Sequence, residues 1–115
     1  MRLKSKIFVS ALVRRVFGLG GYAAVLRKGA GDAGAIFIRQ RSRLGTETFY
    51  APAPQSFFDD PAPGRLFEIR LDAAEADAVD QAIALEVRFD PDCWVVEIEV
   101  DARGDLFDVV TEKPD

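Results

Sequence analysis

The clearest pattern of hydrophobic and polar positions along the chain lies just after residue 93. Two alternating sets of side chains follow: Trp94, Val96, Ile98 and Val100 on one side, and Val95, Glu97, Glu99 and Asp101 on the other. A period of two predicts a strand with one buried and one solvent-exposed face. Pro91 disfavours helical geometry at the residue before it, so we expect a preceding helix to end near Phe89.

Two other stretches have the apolar spacing of helices. Residues 5–19 predict a helix that Gly20-Gly21 would end, with a strand over residues 7–13 as the alternative. A second helix is predicted from Ala73, with Asp72 as its N-cap in an approximate capping box. Its apolar stripe would contain Ala76, Val79, Ile83 and Val87.

Alternation and turn residues predict strands between and after the two helices. The predicted strands cover residues 22–27, 35–43, 46–51 and 65–71, with a short last strand within 105–110. Leu44-Gly45 would join the second and third strands as a hairpin, and proline-rich residues 52–64 form an irregular connection. The order α-β-β-β-β-α-β predicts a single α+β domain over residues 1–115. We expect a two-layer sandwich: a mostly antiparallel sheet of about five strands with two helices on one face.

The length of 115 residues is enough to bury a core without disulfides or metal. The predicted core residues are Trp94, Val96, Ile98, Val79, Ile83, Leu12 and Val16. A single Cys excludes an intrachain disulfide framework and favours a reducing compartment. The apolar run near the N-terminus is too short and too charged for a signal peptide or a membrane span, so we expect a cytoplasmic protein.

Few residues are candidates for catalysis. The chain has no His, which removes the commonest general base and the commonest transition-metal ligand. Asp59-Asp60 and the other acidic pairs match no known cation loop, and Cys93 lies beside acidic residues with no His to activate it. We therefore predict no catalytic residue, no metal and no cofactor. A carboxylate-dependent enzyme at the 52–64 loop is the further alternative, because long loops in compact domains are often functional.

Charge is distributed unevenly between the two halves. Residues 1–50 contain ten Lys and Arg against two acidic residues, a net +8, whereas residues 51–115 have a net −12. The favoured interpretation is mutual neutralisation inside one fold. The alternatives are a basic patch that binds an anion, a phosphate backbone or an acidic partner, and head-to-tail self-association.

Three arginines make this pattern sharpest. Arg39, Arg41 and Arg43 share one face of a predicted strand, about 7 Å apart per step. Glu97 and Glu99 have the same spacing, so salt bridges between neighbouring strands are favoured over an anion site. An anion site would use Arg14, Arg15, Arg39, Arg41 and Arg43. Contact of the first helix with a membrane is not expected, because its apolar stripe is needed to cover the sheet.

Five segments together are similar to a known family. Residues 3–15, 24–29, 32–36, 51–54 and 88–99 resemble an uncharacterised family of small alphaproteobacterial proteins, domain of unknown function fourteen ninety-one. The resemblance implies a stand-alone bacterial cytoplasmic protein and transfers no activity, cofactor or catalytic residue.

The leading prediction is a small non-enzymatic protein-interaction module. A small sheet leaves an edge or an exposed face to a protein partner or to self-association. Nucleic-acid or anion binding through the basic N-terminal half is the alternative and is not favoured.

Overall fold

The computed structural model describes residues 3–54 and 65–110 of the chain. These contain α1 (Ser5–Gly18), β1 (Tyr22–Arg27), β2 (Ile36–Arg41), β3 (Glu47–Pro52), β4 (Leu66–Ala74), α2 (Ala76–Phe89), β5 (Trp94–Glu99) and β6 (Asp108–Val109). The predicted α+β class and the order α-β-β-β-β-α-β are confirmed, and the short last strand forms as well.

The strands form one six-stranded sheet in the order β1-β5-β2-β3-β4-β6. Three of its pairings, β1–β5, β2–β3 and β3–β4, are antiparallel. The other two, β2–β5 and β4–β6, are parallel. The late strand β5 is therefore inserted between β1 and β2, which makes β1 an outer strand.

The prediction that both helices lie on one face is wrong. Helix α1 packs its buried residues against one face of the sheet, in a cluster that contains Val9, Leu12, Val16, Ile36, Ile38, Trp94, Val96 and Ile98. Helix α2 packs against the other face, in a cluster that contains Val79, Phe37, Phe49, Ala51, Cys93 and Val95. The domain thus has three layers, with the sheet between the two helices.

The physical reason lies in the two central strands. Ile36, Phe37 and Ile38 are successive residues of β2, and all three are buried. Val95, predicted on the exposed side of β5, is only 2% exposed. Successive strand residues point to opposite faces, so both faces of these strands carry buried apolar residues and each face needs a helix to cover them.

The prediction of Asp72 as the N-cap of α2 is also wrong. Strand β4 continues to Ala74, which pairs with Glu47 of β3, and α2 begins at Ala76 without a side-chain cap. The Asp72 carboxylate instead accepts a hydrogen bond from the Thr48 hydroxyl at 3.1 Å. Pairing with β3 thus extends β4 through the segment that the capping pattern had assigned to the helix.

The predicted core residues lie in the two apolar clusters, one on each face of the sheet. Trp94, Val96, Ile98, Leu12, Val16 and Val79 are buried, and Ile83 is half-buried against the α2 cluster. Trp94 also donates from Nε1 to the carbonyl oxygen of Ala30 at 2.7 Å, which fixes the loop after β1 to the start of β5. Neither helix of the described chain is long and apolar enough to cross a membrane.

Candidate interaction edge of the sheet

Strand β1 lies at one end of the sheet and pairs only with β5. Residues 22–25 are in antiparallel register with residues 96–99, and a bulge follows between Val25 and Arg27. The backbone N–H and C=O groups that point away from β5 have no sheet partner within residues 3–54 and 65–110. Such a row of free backbone groups is a template on which another strand can pair.

Large apolar side chains surround this row of backbone groups. The β1 edge surface, as we name it, consists of Phe17, Leu19, Tyr22, Val25 and Leu26. Each of these five side chains is between 43% and 66% exposed. The Phe17 and Tyr22 rings contact each other edge to face, with centroids 5.9 Å apart, so the end of α1 and the start of β1 both contribute exposed apolar groups at this edge. Exposed apolar residues grouped along one sheet edge are a feature of interaction sites.

The opposite end of the sheet is protected. Strand β6 pairs only with Leu66 and Phe67, so the remainder of β4 has an open side in the described structure. That remainder carries Glu68, Arg70 and Asp72, and two register irregularities interrupt its pairing with β3. Charges and bulges on an edge strand prevent another strand from pairing with it. Of the two ends, β1 offers the longer uncharged stretch, because its residues 22–25 precede its own bulge and Arg27 is its only charged residue.

Charged groups flank the β1 edge surface. Lys28 follows the strand at its C-terminal end, and Glu99 lies opposite Tyr22 at its N-terminal end. Neither Lys28 nor Glu99 forms an ion pair with any residue that the structure describes. A cavity of about 320 Å³ at the N-terminal end is lined by Leu19, Gly20, Gly21, Arg43, Glu99, Val100, Asp101 and Ala102.

The prediction that Glu97 and Glu99 form the ion pairs of the three arginines is wrong, although the strands that carry these residues are neighbours as predicted. Arg39 and Arg41 lie opposite Glu97 and Glu99 in the β2–β5 register. Their ion pairs nevertheless go to Glu47, at 2.7 Å from Arg39 and 3.3 Å from Arg41.

Two further carboxylates complete these contacts. Asp80 of α2 lies 2.7 Å from Arg39, and Asp101 lies 2.7 Å from Arg43. Burial acts to lower the pKa of Arg39, but its hydrogen bonds to Glu47 and Asp80 outweigh that effect and raise the pKa above its ordinary value. Arg39 therefore remains charged inside the fold and joins β2, β3 and α2.

The five arginines of the predicted anion site do not form one patch. Arg14 and Arg15 belong to α1, whereas Arg39 and Arg41 lie on the face of the sheet that α2 covers. Arg15 donates to Asp105 at 2.9 Å, and Arg14 has no ion pair within the described residues. Anion binding by this set stays a prediction.

The described residues contain no group of three or more His, Cys, Asp and Glu that could hold a metal ion. Burial, reinforced by the nearby Asp90, raises the pKa of the Cys93 thiol. Its buried thiol is therefore kept in the weakly nucleophilic protonated form. Of the 52–64 loop, residues 55–64, with Asp59 and Asp60, lie outside the described residues.

Two features of this region were missed by reasoning from the sequence. The apolar run over residues 22–27 predicts a strand, but nothing in it shows that the strand lies at an edge. Glu47 is 1% exposed and joins two arginines, and it was not identified as their partner. The available signal was composition, because Glu47 and Asp32 are the only acidic residues among the first fifty.

Comparisons with known proteins concern the fold and the family. The model of the family described as "Protein of unknown function (DUF1491)" matches residues 3–108. The solution structure of protein Atu0922 from A. tumefaciens is 55% identical, with 98% of each chain covered and a TM-score of 0.85. The crystal structure of a DUF1491 family protein from Caulobacter crescentus CB15 is 30% identical, with 96% of this chain and 100% of that chain covered and a TM-score of 0.79. No curated protein matches the chain.

Proposed function

The chain belongs to the DUF1491 family of proteins of unknown function, the family that five segments of its sequence resemble. Because that family has no known function, we propose a function for this protein from the geometry of its sheet. The protein is a non-enzymatic interaction module that binds a partner strand at the β1 edge. One observation carries this proposal: the outer strand β1 combines free backbone groups with the exposed apolar residues of the β1 edge surface.

The mode of binding follows from the properties of an edge strand. A strand added to a sheet edge gains affinity from backbone hydrogen bonds and specificity from alternate side chains. Tyr22, Val25 and Leu26 supply exposed apolar side chains on the two faces of β1, and Phe17 and Leu19 extend the contact onto the end of α1. The protected β4 edge explains why we assign the partner to one end of the sheet only.

The test compares the parent with two apolar-to-lysine surface variants as baits in affinity capture from a native bacterial lysate. The double variant Val25→Lys/Leu26→Lys places charges on the β1 edge, which is how natural proteins block edge strands. The matched control is Leu44→Lys in the β2–β3 turn, where Leu44 is 91% exposed. Thermal unfolding of each bait checks that its fold is retained.

We expect the parent and Leu44→Lys baits to retain the same protein, whether that is another protein or a second copy of this chain. We expect the double variant to lose that protein. Equal retention by all three baits would contradict the proposal, as would retention of nothing by the parent.

The remaining alternatives stay predictions. No contact in the described residues favours nucleic-acid binding, since four of its five arginines already have ion pairs. The carboxylate enzyme would depend on residues 55–64, which the structure does not describe. A cytoplasmic location is likewise our expectation.

A further inference from the structure

Helix α1 has a second set of apolar side chains besides the one that covers the sheet. Its buried residues, which are turned to the sheet, are Ser5, Val9, Leu12 and Val16. At 3.6 residues per turn, Ile7 and Arg14 point almost directly away from them. Leu3, Ile7 and Phe17 are 52%, 47% and 51% exposed. The reason for expecting no membrane contact, that the apolar stripe of this helix is needed to cover the sheet, therefore applies only to the buried residues.

Positive charges accompany these exposed apolar residues. Residues 3–28 contain six Lys and Arg and no Asp or Glu, so they carry +6 and the rest of the chain carries −10 of the net −4. Lys6 and Arg14 are exposed and form no ion pair with any residue that the structure describes. Together with Ile7, both line one depression on the outside of the helix. The α1 outer face, as we name it, consists of Leu3, Lys6, Ile7, Ser10, Arg14 and Phe17.

Helix α2 provides an internal comparison. It has the same length as α1, 14 residues, and it also exposes apolar side chains, Leu85 at 51% and Phe89 at 80%. The charges of the two helices are opposite. Helix α1 carries a net +3 from Lys6, Arg14 and Arg15, whereas α2 carries a net −2 from Asp77, Asp80, Glu86 and Arg88. Of the two helices, only α1 combines exposed apolar residues with a charge complementary to an anionic surface.

We propose that the α1 outer face binds the surface of a bilayer that contains anionic lipids. This inference goes beyond the proposed function, which concerns the β1 edge; Phe17 is the one residue that the two surfaces share. A helix that lies on such a surface inserts apolar side chains below the headgroups, and its Lys and Arg bind the anionic lipids. Leu3, Ile7 and Phe17 supply the apolar contact, and Lys6 and Arg14 supply the charges.

The mixture of side chains favours a bilayer over a nucleic acid as the partner. Lys and Arg alone would bind the phosphates of a nucleic acid, and such contacts leave exposed Leu, Ile and Phe with nothing to bury against. A bilayer surface accepts both kinds of side chain. The acidic remainder of the chain is repelled by an anionic surface while residues 3–28 are attracted to it, so the charge distribution also orients the protein.

Co-sedimentation of the purified protein with lipid vesicles tests the proposal. The probes are vesicles of phosphatidylcholine alone, vesicles of phosphatidylcholine mixed with phosphatidylglycerol, and a DNA duplex followed by fluorescence anisotropy. We expect the parent to bind the mixed vesicles, and to bind them less as salt screens the charges. Binding to phosphatidylcholine alone should be weaker by about tenfold or more, because the attraction of the basic residues is lost. We expect no binding to the duplex at the same salt concentration.

Two variants separate the charged contact from the apolar one. Lys6→Gln/Arg14→Gln should lower the partition coefficient on mixed vesicles by about tenfold or more, because two basic residues no longer attract the anionic lipids. Ile7→Ser should lower it by about fivefold or more, because the apolar insertion is lost. The matched control, Leu85→Ser/Arg88→Gln, makes the same kinds of change on α2, which packs on β3 and β4, and should bind as the parent does. Thermal unfolding checks that each variant keeps its fold.

The capture experiment at the β1 edge uses other variants and no vesicles, so either proposal can fail while the other stands. A parent that does not bind the mixed vesicles overturns the membrane proposal. Binding to the duplex as tight as to the vesicles, or an Ile7→Ser variant that binds vesicles as the parent does, would assign the basic residues to polyanions in general and would overturn it too. An equal loss of binding in the α2 control would show that the contact does not lie on α1.

Discussion

Replacing Glu47 with Gln is a direct test of how this fold holds its charges. Glu47 is 1% exposed, and its carboxylate accepts hydrogen bonds from Arg39 Nε at 2.7 Å and from Arg41 Nη2 at 3.3 Å. Gln keeps the size of the side chain and removes its charge. One of its two terminal atoms becomes an NH2 donor, which would face a guanidinium that can only donate.

The expected cost follows from burial. Removing one partner of a buried ion pair typically costs about 3–5 kcal/mol, because the other charge is left uncompensated. Arg39 keeps its second hydrogen bond, to Asp80, but that carboxylate is 60% exposed and is screened by solvent. We therefore expect Glu47→Gln to lower the free energy of unfolding by about 3 kcal/mol, the lower end of this range.

The measurement is urea denaturation followed by the fluorescence of Trp94, which is the only Trp and is 4% exposed in the fold. Asp101→Asn is the matched control. It breaks the Arg43–Asp101 pair, which has the same 2.7 Å distance but side chains that are 82% and 68% exposed. We expect it to cost less than about 1 kcal/mol.

A second variant separates the loss of charge balance from the loss of contacts. Arg39→Met/Glu47→Leu removes both buried charges and keeps apolar volume, so we expect it to be more stable than Glu47→Gln. A double variant less stable than Glu47→Gln would refute the argument from uncompensated charge. So would a Glu47→Gln protein no less stable than Asp101→Asn.

Two further predictions concern packing. Trp94→Ala should lower the free energy of unfolding by about 3–5 kcal/mol in denaturation followed by circular dichroism, and a loss below about 1 kcal/mol would contradict its place in the core. Gly29→Ala should lower the thermal midpoint, because a Cβ there would clash with the Asp92 carbonyl oxygen and force the backbone apart. Gly31→Ala is its control, since its nearest neighbour is a Lys6 side-chain carbon at 3.5 Å. Equal thermal midpoints for the two glycine variants would show that the loop gives way.

Local signals predicted most of the elements. The apolar run bounded by Gly20-Gly21 and Lys28-Gly29 predicts β1 over residues 22–27, the bounds that the structure has. Predictions from local rules failed where distant pairing competed with them. Asp72 has the side chain of an N-cap, but it lies on β4 because residues 66–74 continue to pair with β3.

The placement of the helices could not be predicted from local patterns. It depends on β5 pairing with β2, a contact between residues that are more than fifty positions apart. That pairing makes β2 and β5 central, so both of their faces have to be covered. The sequence of β2 did not indicate that both of its faces are covered. Phe37 and Arg39 share one face of the strand, and the charge of Arg39 indicated an exposed face, although its guanidinium is buried. The ion pair with Glu47 is what allows that charge to lie under α2.

The candidate site is a consequence of the same long-range pairing. Strands that are neighbours along a chain usually pair in a sheet, so β1 would be expected to pair with β2. Insertion of β5 between them instead leaves β1 at the end of the sheet, with its apolar run half exposed. Proteins protect an edge strand with charges, bulges or a cover, and here charges and bulges interrupt β4 at the other end. On the flat part of β1, residues 22–25 are uncharged and unbulged, so a cover is the remaining means of protecting it. We propose that a partner strand supplies that cover.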